Sequence, residues 1–227
     1  MHPVEKYTWK EIPGSSHDLL RRHIRALPVG LRLLDLGAAG GHLGREVRDR
    51  CSFLAGVEPD PRVPTEAREG YDEWRAADAL SAGDWSRPFD VVVAADVLEH
   101  LASPETLLEK VRSWLKPEGL LLVSLPNIAN VSVRAALLFG HFRYTERGIL
   151  DRTHLSFYTR ASARHLLQDS GFLVRTVEAT AMPYELALPT LTRSAVVRAP
   201  VRGMARLTAH AWPTMFGYQF VFEAQKK

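Results

Sequence analysis

Short apolar runs alternate with amphipathic ones along the whole chain, and this alternation predicts strands and helices in turn. Residues 16–27 carry apolar positions at helical spacing and meet Pro28 and Gly30, which predicts a first helix and its end. Leu31 to Leu36 is close to a continuous apolar run, as a strand buried on both faces requires, and a glycine cluster follows at once. HLGREVRDR reads as helix, FLAGVEP as a second strand, the charged stretch Thr65 to Trp74 as another helix, and FDVVVAAD as a strongly hydrophobic strand. In SPETLLEKVRSWLKPEG, Ser103 suits an N-cap, Pro104 the first helical turn, and Pro117 with Gly119 the exit. GLLLVSLPN is the next strand, and residues 128–150 form an insertion holding one apolar helical stretch, VSVRAALLFG. Thr159 caps a helix that stops at Gly171, and FLVRTVEA follows as a strand. A second insertion occupies about 182–213, and FGYQFVFEA closes the pattern with period-2 alternation. The fold class is therefore α/β, a mostly parallel sheet with helices on both faces.

Length and composition narrow the picture. A chain of 227 residues fits one domain, 1–227, whose two insertions are expected to cover a substrate. A hydrophobic fraction of 46% and a charged fraction of 24% suit a chain that folds in water, and no apolar run reaches the roughly 18 residues that span a bilayer. No stable membrane insertion is expected. MHPVEKYTWKEIPG lacks the apolar core of a secretory signal, which makes a cytoplasmic location the expectation. The single Cys51 leaves no cysteine pair for a disulfide or a Cys-based zinc site, and no metal is expected. A net charge of +3 does not imply a nucleic-acid partner. One local exception is Arg198, Arg202 and Arg206, spaced by four beside Val197, Val201, Met204 and Leu207. These would form a short basic amphipathic helix able to make a peripheral contact with an anionic lipid surface or a phosphate-bearing substrate.

Chemistry concentrates in LDLGAAGGHLG, Leu34 to Gly44, where glycines stand between a strand and a helix. The chain must turn sharply there and a ligand can approach its backbone. NAD, FAD and S-adenosylmethionine sites all use such a turn, so its neighbours decide. Asp35 ends the first strand, and Glu58 ends the second about 20 residues on, placed to accept hydrogen bonds from ribose hydroxyls. Ala39 stands at the position where dinucleotide fingerprints usually carry a glycine against a pyrophosphate. Adenosylmethionine has no pyrophosphate, and the departure favours it.

LDLGAAGG, GVEPD, AADAL, FDVVVAADVLEHL and LKPEGLLLVSLPN, in that order, resemble the successive motifs of class I S-adenosylmethionine-dependent methyltransferases. The resemblance covers about residues 30–180 and is nearest to the branch of quinone-biosynthesis and sugar O-methyltransferases. It implies a Rossmann-like seven-stranded sheet in the order 3-2-1-4-5-7-6, with FGYQFVFEA as the antiparallel last strand. It implies that Gly37, Ala39 and Gly41 back the amino acid moiety of S-adenosyl-L-methionine, and that Glu58, followed by Pro59, holds the ribose. Asp78 would approach the adenine amino group with Ala79 beside it. Asp96 would lie beside the methionine portion, with Val97 near the ring and His100 at the rim.

Methyl transfer from a sulfonium depends on alignment and exclusion of water, and a hydroxyl acceptor needs a base. His100, His141 and His154 are the candidates, with Asp151 close enough in sequence to orient His154. Asn127, Phe139, Phe142 and Tyr144 would line the acceptor site, and Tyr7 and Trp9 could close over the cofactor. The expected reaction is O-methylation of a small molecule or glycan, with N- or C-methylation as the alternative. A nicotinamide-dependent oxidoreductase shares the glycine turn, but DVLEHL argues against it. A homodimer is left open.

Overall fold

The computed structural model describes residues 13–182 and 195–227. Its sheet runs β1 Leu31–Leu36, β2 Cys51–Val57, β3 Glu73–Arg75, β4 Phe89–Ala95, β5 Leu115–Pro126, β6 Phe172–Ala179 and β7 Gln219–Lys226. The strand order is β3-β2-β1-β4-β5-β7-β6. The pairs from β3 through β5 are parallel, and β7 lies antiparallel between β5 and β6. This is the order the resemblance implied.

Helices cover both faces because the inner strands are apolar on both. Helix α1, Ser16–Ala26, sets Leu19, Leu20 and Ile24 against Leu33, Leu54, Val91 and Val93. On the other face α4, Pro104–Trp114, packs Leu107, Leu108, Val111 and Trp114 on Leu34, Val92 and Leu121. Joining them there is α6, Arg160–Asp169, through Ala163 and Leu167. Thr159 and Ser162 close a reciprocal capping box at its start, and Gly171 at φ +86° follows its end. A short α2, His42–Val47, leaves the glycine turn after β1.

Two predicted boundaries move. Of Thr65 to Trp74 only α3, Thr65–Arg68, is helical; Gly70 at φ +89° ends it, and Glu73–Arg75 pairs with β2 instead. Three residues of sheet edge offer too short a pattern to register by periodicity. Ser103 makes no side-chain cap, although Pro104 does open α4. The helix ends at Trp114 and not at Pro117. Leu115 already pairs with Phe89 and Leu120 with Val91, so Lys116–Gly119 bulges out of β5, with Glu118 at φ +59°.

Both insertions emerge around the carboxyl ends of the parallel strands. The first carries α5, Val131–Leu138, capped by Asn130. The second ends in α7, Ala195–Ala211, and α8, Pro213–Phe216, which lead into β7. Tyr7 and Trp9 lie outside the described residues.

Candidate functional site

In open parallel sheets ligands bind outside the carboxyl ends of the strands, where the order reverses between β1 and β4. The turn after β1 is built for close approach. Gly37 sits at φ +70°, and a Cβ there would lie 2.8 Å from Val97 Cγ2. Gly41 sits at φ +67°, and its Cβ would lie 1.9 Å from the Ala67 carbonyl oxygen. Between them Ala39 takes φ +45°, a left-handed conformation that L-residues rarely adopt. The strain is held by Glu58: the Ala39 N–H donates to Glu58 Oε2 at 2.9 Å, and the Asp60 N–H donates to Oε1 at 3.0 Å. Each oxygen of this buried carboxylate thus keeps a lone pair in a fixed direction. A pair of ribose hydroxyls has the matching donors, so the cradle fits an adenosyl group.

Asp35 is buried and accepts the Tyr71 hydroxyl at 2.8 Å. Burial pushes its carboxyl up to about 7 against that hydrogen bond, and the charge of Glu58 adds to the rise. Asp78 is exposed and caps the turn at Leu80 N–H, 2.8 Å away, with Ala79 buried beside it; Pro59 is exposed. Asp96 stands at φ +54°, just past β4. Its carboxylate accepts Ser124 Oγ–H at 2.7 Å and both oxygens take the Gln219 amide at 2.8 Å, while Gln219 Oε1 accepts Ser16 Oγ–H.

Next along the chain, a single 3₁₀ turn, Leu98–His100, faces the loop that carries His154. Leu155 and Ser156 donate their N–H groups to the Glu99 carbonyl, which fastens that loop to the turn. The two imidazoles meet edge to face with centroids 4.9 Å apart. His100 Nδ1 donates to the Thr153 carbonyl and His154 Nδ1 to the Ile149 carbonyl, both at 3.1 Å. With Nδ1 donating, the neutral tautomer of either ring carries its lone pair on Nε2. Burial, and His100 alongside, lower the His154 pKa, so it stays neutral near pH 7.

The hydrogen bond that fixes the His154 ring goes to a backbone carbonyl and not to Asp151. The Asp151 carboxylate accepts the Thr153 N–H and hydroxyl. Asn127 is corrected as well: it is fully buried, with its amide on the Thr214 and Gly217 carbonyls and its oxygen on Ala129 N–H. It ties the start of the first insertion to α8 and to the turn before β7. Phe142 and Tyr144 stack edgewise at 5.4 Å and both lie within 6.4 Å of Phe157, which in turn is 6.1 Å from His154. Phe139 points to solvent and His141 is exposed on the same insertion, apart from this group.

Glu99 was not singled out in the sequence, and it is the most informative side chain here. It is 1% exposed, and neither carboxylate oxygen has a hydrogen-bond partner among the described residues. Burial, with Asp96 and Asp151 nearby, holds its carboxyl well above the usual range. Glu99, His100 and His154 bring ligand atoms within 4.8 Å of one another. One carboxylate and two imidazoles, each with its other nitrogen on a backbone carbonyl, form a donor set suited to a divalent cation. The expectation of no metal rested on cysteine alone and overlooked this set. Tyr71, Phe157, Tyr218 and Gln219 were also missed, since long-range packing places them; Tyr218 is pushed up to about 12 by burial and by Asp96.

A glycine cradle, a ribose-ready acid and a histidine cluster at the switch point of this sheet define an enzyme of the Rossmann-like class that works on a nucleoside cofactor. Residues 9–177 match a family model described as a methyltransferase domain. The ubiquinone biosynthesis O-methyltransferase of Azorhizobium caulinodans is 31% identical over 70% of this chain and 68% of its own length. That of Cereibacter sphaeroides is 36% identical over 63% and 60%. Among solved structures, a SAM-dependent methyltransferase from Archaeoglobus fulgidus superposes with a TM-score of 0.62 at 20% identity, over 94% of this chain and 95% of that one. The chain belongs to the class I S-adenosylmethionine-dependent methyltransferases, in the quinone-biosynthesis branch, and its cofactor is S-adenosyl-L-methionine. It spans about 60% to two thirds of the length of these curated relatives.

Proposed function

We propose that this chain transfers the methyl group of S-adenosyl-L-methionine to a hydroxyl on a small, flat, largely apolar acceptor. Glu58 would hold the ribose, the Gly37–Gly41 turn would back the amino acid portion, and Asp96 would face the methionine side. The acceptor would lie against Phe142, Tyr144 and Phe157, with the first insertion as its cover and its hydroxyl at the histidine pair. The observation that carries this reading is the arrangement of His154 and His100, each with Nδ1 on a backbone carbonyl and Nε2 left to face the site. Such a nitrogen takes the hydroxyl proton as the oxygen attacks the methyl carbon and the sulfonium leaves as a neutral thioether. The relatives named for ubiquinone biosynthesis support a ring hydroxyl over a glycan one. A cytoplasmic setting goes with this reading.

The unpartnered Glu99 carboxylate favours a second reading of the same site. A divalent cation held by Glu99, His100 and His154 would lower the pKa of a bound hydroxyl and reduce the need for a base. Turnover on catechol-type and monophenol acceptors, before and after chelation, separates the two. Full activity after exhaustive chelation favours the base; loss that returns with added magnesium, manganese or zinc favours the cation. In either case His154→Gln should lower turnover about 100-fold while leaving affinity for S-adenosylhomocysteine unchanged. Undiminished turnover in that variant removes the histidine pair from the reaction.

A further inference from the structure

The Asp96 carboxylate is oriented by groups that carry no charge. Ser124 Oγ donates to Oδ1 at 2.7 Å, and the Gln219 amide nitrogen stands 2.8 Å from both Oδ1 and Oδ2. A carboxylate offers about four lone-pair sites, so Oδ1 is filled while Oδ2 keeps one lone pair outside these bonds. Among the described residues no arginine, lysine or histidine forms an ion pair with Asp96. This half-buried carboxylate is fixed in direction but not neutralised by the protein, and burial makes an uncompensated charge costly. A cationic ligand removes that cost.

Gln219 can fix Asp96 because it is itself held. Its amide must turn NH2 toward a carboxylate that only accepts, which aims Oε1 the other way. There Oε1 accepts the Ser16 hydroxyl at 3.1 Å, and Ser16, in the first turn of α1, is buried. The Gln219 backbone is pinned as well: its N–H donates to Thr180 Oγ1 at 3.0 Å, and its carbonyl accepts the Thr180 N–H at 2.9 Å. Helix α1 meets β7 in a set register. Ser16, Leu20 and His23 lie on one helical face, and Gln219, Val221 and Glu223 on one face of the strand. Leu20 and Val221 belong to the same apolar core, while His23 Nδ1 lies 2.7 Å from Glu223 Oε2 and its Nε2 lies 2.8 Å from Glu178 Oε1 on β6. Two polar ties with apolar packing between them keep α1 from sliding along β7. The Ser16 hydroxyl is thereby delivered to Gln219.

We propose that Gln219 and Ser16 are positioning residues for the amino-acid end of S-adenosyl-L-methionine, given that Asp96 faces the methionine side as proposed above. By holding the plane of the Asp96 carboxylate, they point its remaining Oδ2 lone pair at the ammonium group of the cofactor. A neutral clamp suits this task. A lysine or arginine in place of Gln219 would take the same oxygens but cancel the charge that attracts the ammonium group. An aliphatic residue would leave the carboxylate free to turn about χ2. The discrimination falls on one atom of the ligand, its amino nitrogen, and not on adenine, ribose or sulfur.

Calorimetry with three ligands tests this without a methyl acceptor. S-adenosylhomocysteine carries the ammonium group, its deaminated analogue has a hydroxyl there instead, and methylthioadenosine lacks the whole amino-acid end. The wild-type chain should bind S-adenosylhomocysteine at least about tenfold more tightly than the deaminated analogue. Gln219→Met should lose most of that preference while binding methylthioadenosine within about twofold of wild type, which also shows that the sheet has formed. Ser16→Ala, a milder change, should lower the preference about threefold and leave methylthioadenosine binding unaltered. Asp96→Asn should abolish the preference. A preference undiminished in Gln219→Met or, should that variant not fold, in Ser16→Ala overturns the positioning role. Equal weakening of all three ligands also overturns it, because the loss is then general damage to the site. An intact preference in Asp96→Asn overturns the reading of Asp96 itself, and the positioning role falls with it.

Discussion

The two ends of the site are made in different ways. At the cofactor end, shape comes from backbone: three left-handed residues within five positions, a carboxylate clamped by two amides, and glycines where a methyl group would strike Val97 or Ala67. At the acceptor end, shape comes from side chains that meet across long stretches of sequence. His100 meets His154, Asp96 meets Gln219, and the Glu99 carboxylate has no hydrogen-bond partner among the described residues. The first end is preorganised and satisfied, whereas the second is polar, buried and incomplete. A satisfied site binds; an unsatisfied one is held ready for something that arrives, and the protein keeps that cost near the acceptor.

The sharpest way to break this contrast is Gly41→Val. A Cβ 1.9 Å from a carbonyl oxygen, on a left-handed backbone, should cost about 3 kcal/mol or more and abolish cofactor binding. Urea denaturation and calorimetry with S-adenosylhomocysteine check it, and a stable, binding variant would mean the turn is not rigid. A smaller effect of opposite sign is expected at the other end. Glu99→Gln removes a buried, unpartnered carboxylate and should stabilise the protein by about 1 kcal/mol at mildly alkaline pH while turnover falls. Loss of stability there would show that the carboxylate has a structural partner.

Asp35 gives the most specific effect. Its folded pKa of about 7 lies above the ordinary aspartate value of 3.8, so between these limits the folded state holds a proton that the unfolded chain has released. The associated stability is complete below about pH 4 and declines as pH rises through about 7. Asp35→Asn should remove that portion of the slope, as seen in urea midpoints compared at about pH 5 and about pH 8. An unaltered slope would mean that Tyr71 holds Asp35 ionised.

The same division explains what could be read from the sequence. β1, the glycine turn, β2, Thr159 as a cap and the alternating run of β7 are local patterns, and all stand close to where the patterns place them, while the antiparallel direction of β7 came from the resemblance. Glu58 was legible because strand ends and acids have a fixed spacing in such folds. Trp74 was misread because a three-residue strand has no periodicity. Glu99 was hidden inside a motif whose neighbours drew attention, although an acid between Leu98 and Leu101 in a buried turn is itself a signal. Phe157 and Gln219 left no local trace, since only the folded sheet brings them to His154 and Asp96.

The fastening of Asp96 carries a consequence for how the protein is born. Gln219 stands 123 positions after the aspartate it clamps, and its amide oxygen takes a hydroxyl from Ser16, 203 positions earlier. A ribosome that has delivered β1 to β5 has therefore displayed every glycine of the cradle but not yet locked the carboxylate beside it. The carboxylate is locked only once β7 has entered between β5 and β6, so the cofactor turn is made from early segments of the sheet and the reaction centre from late ones.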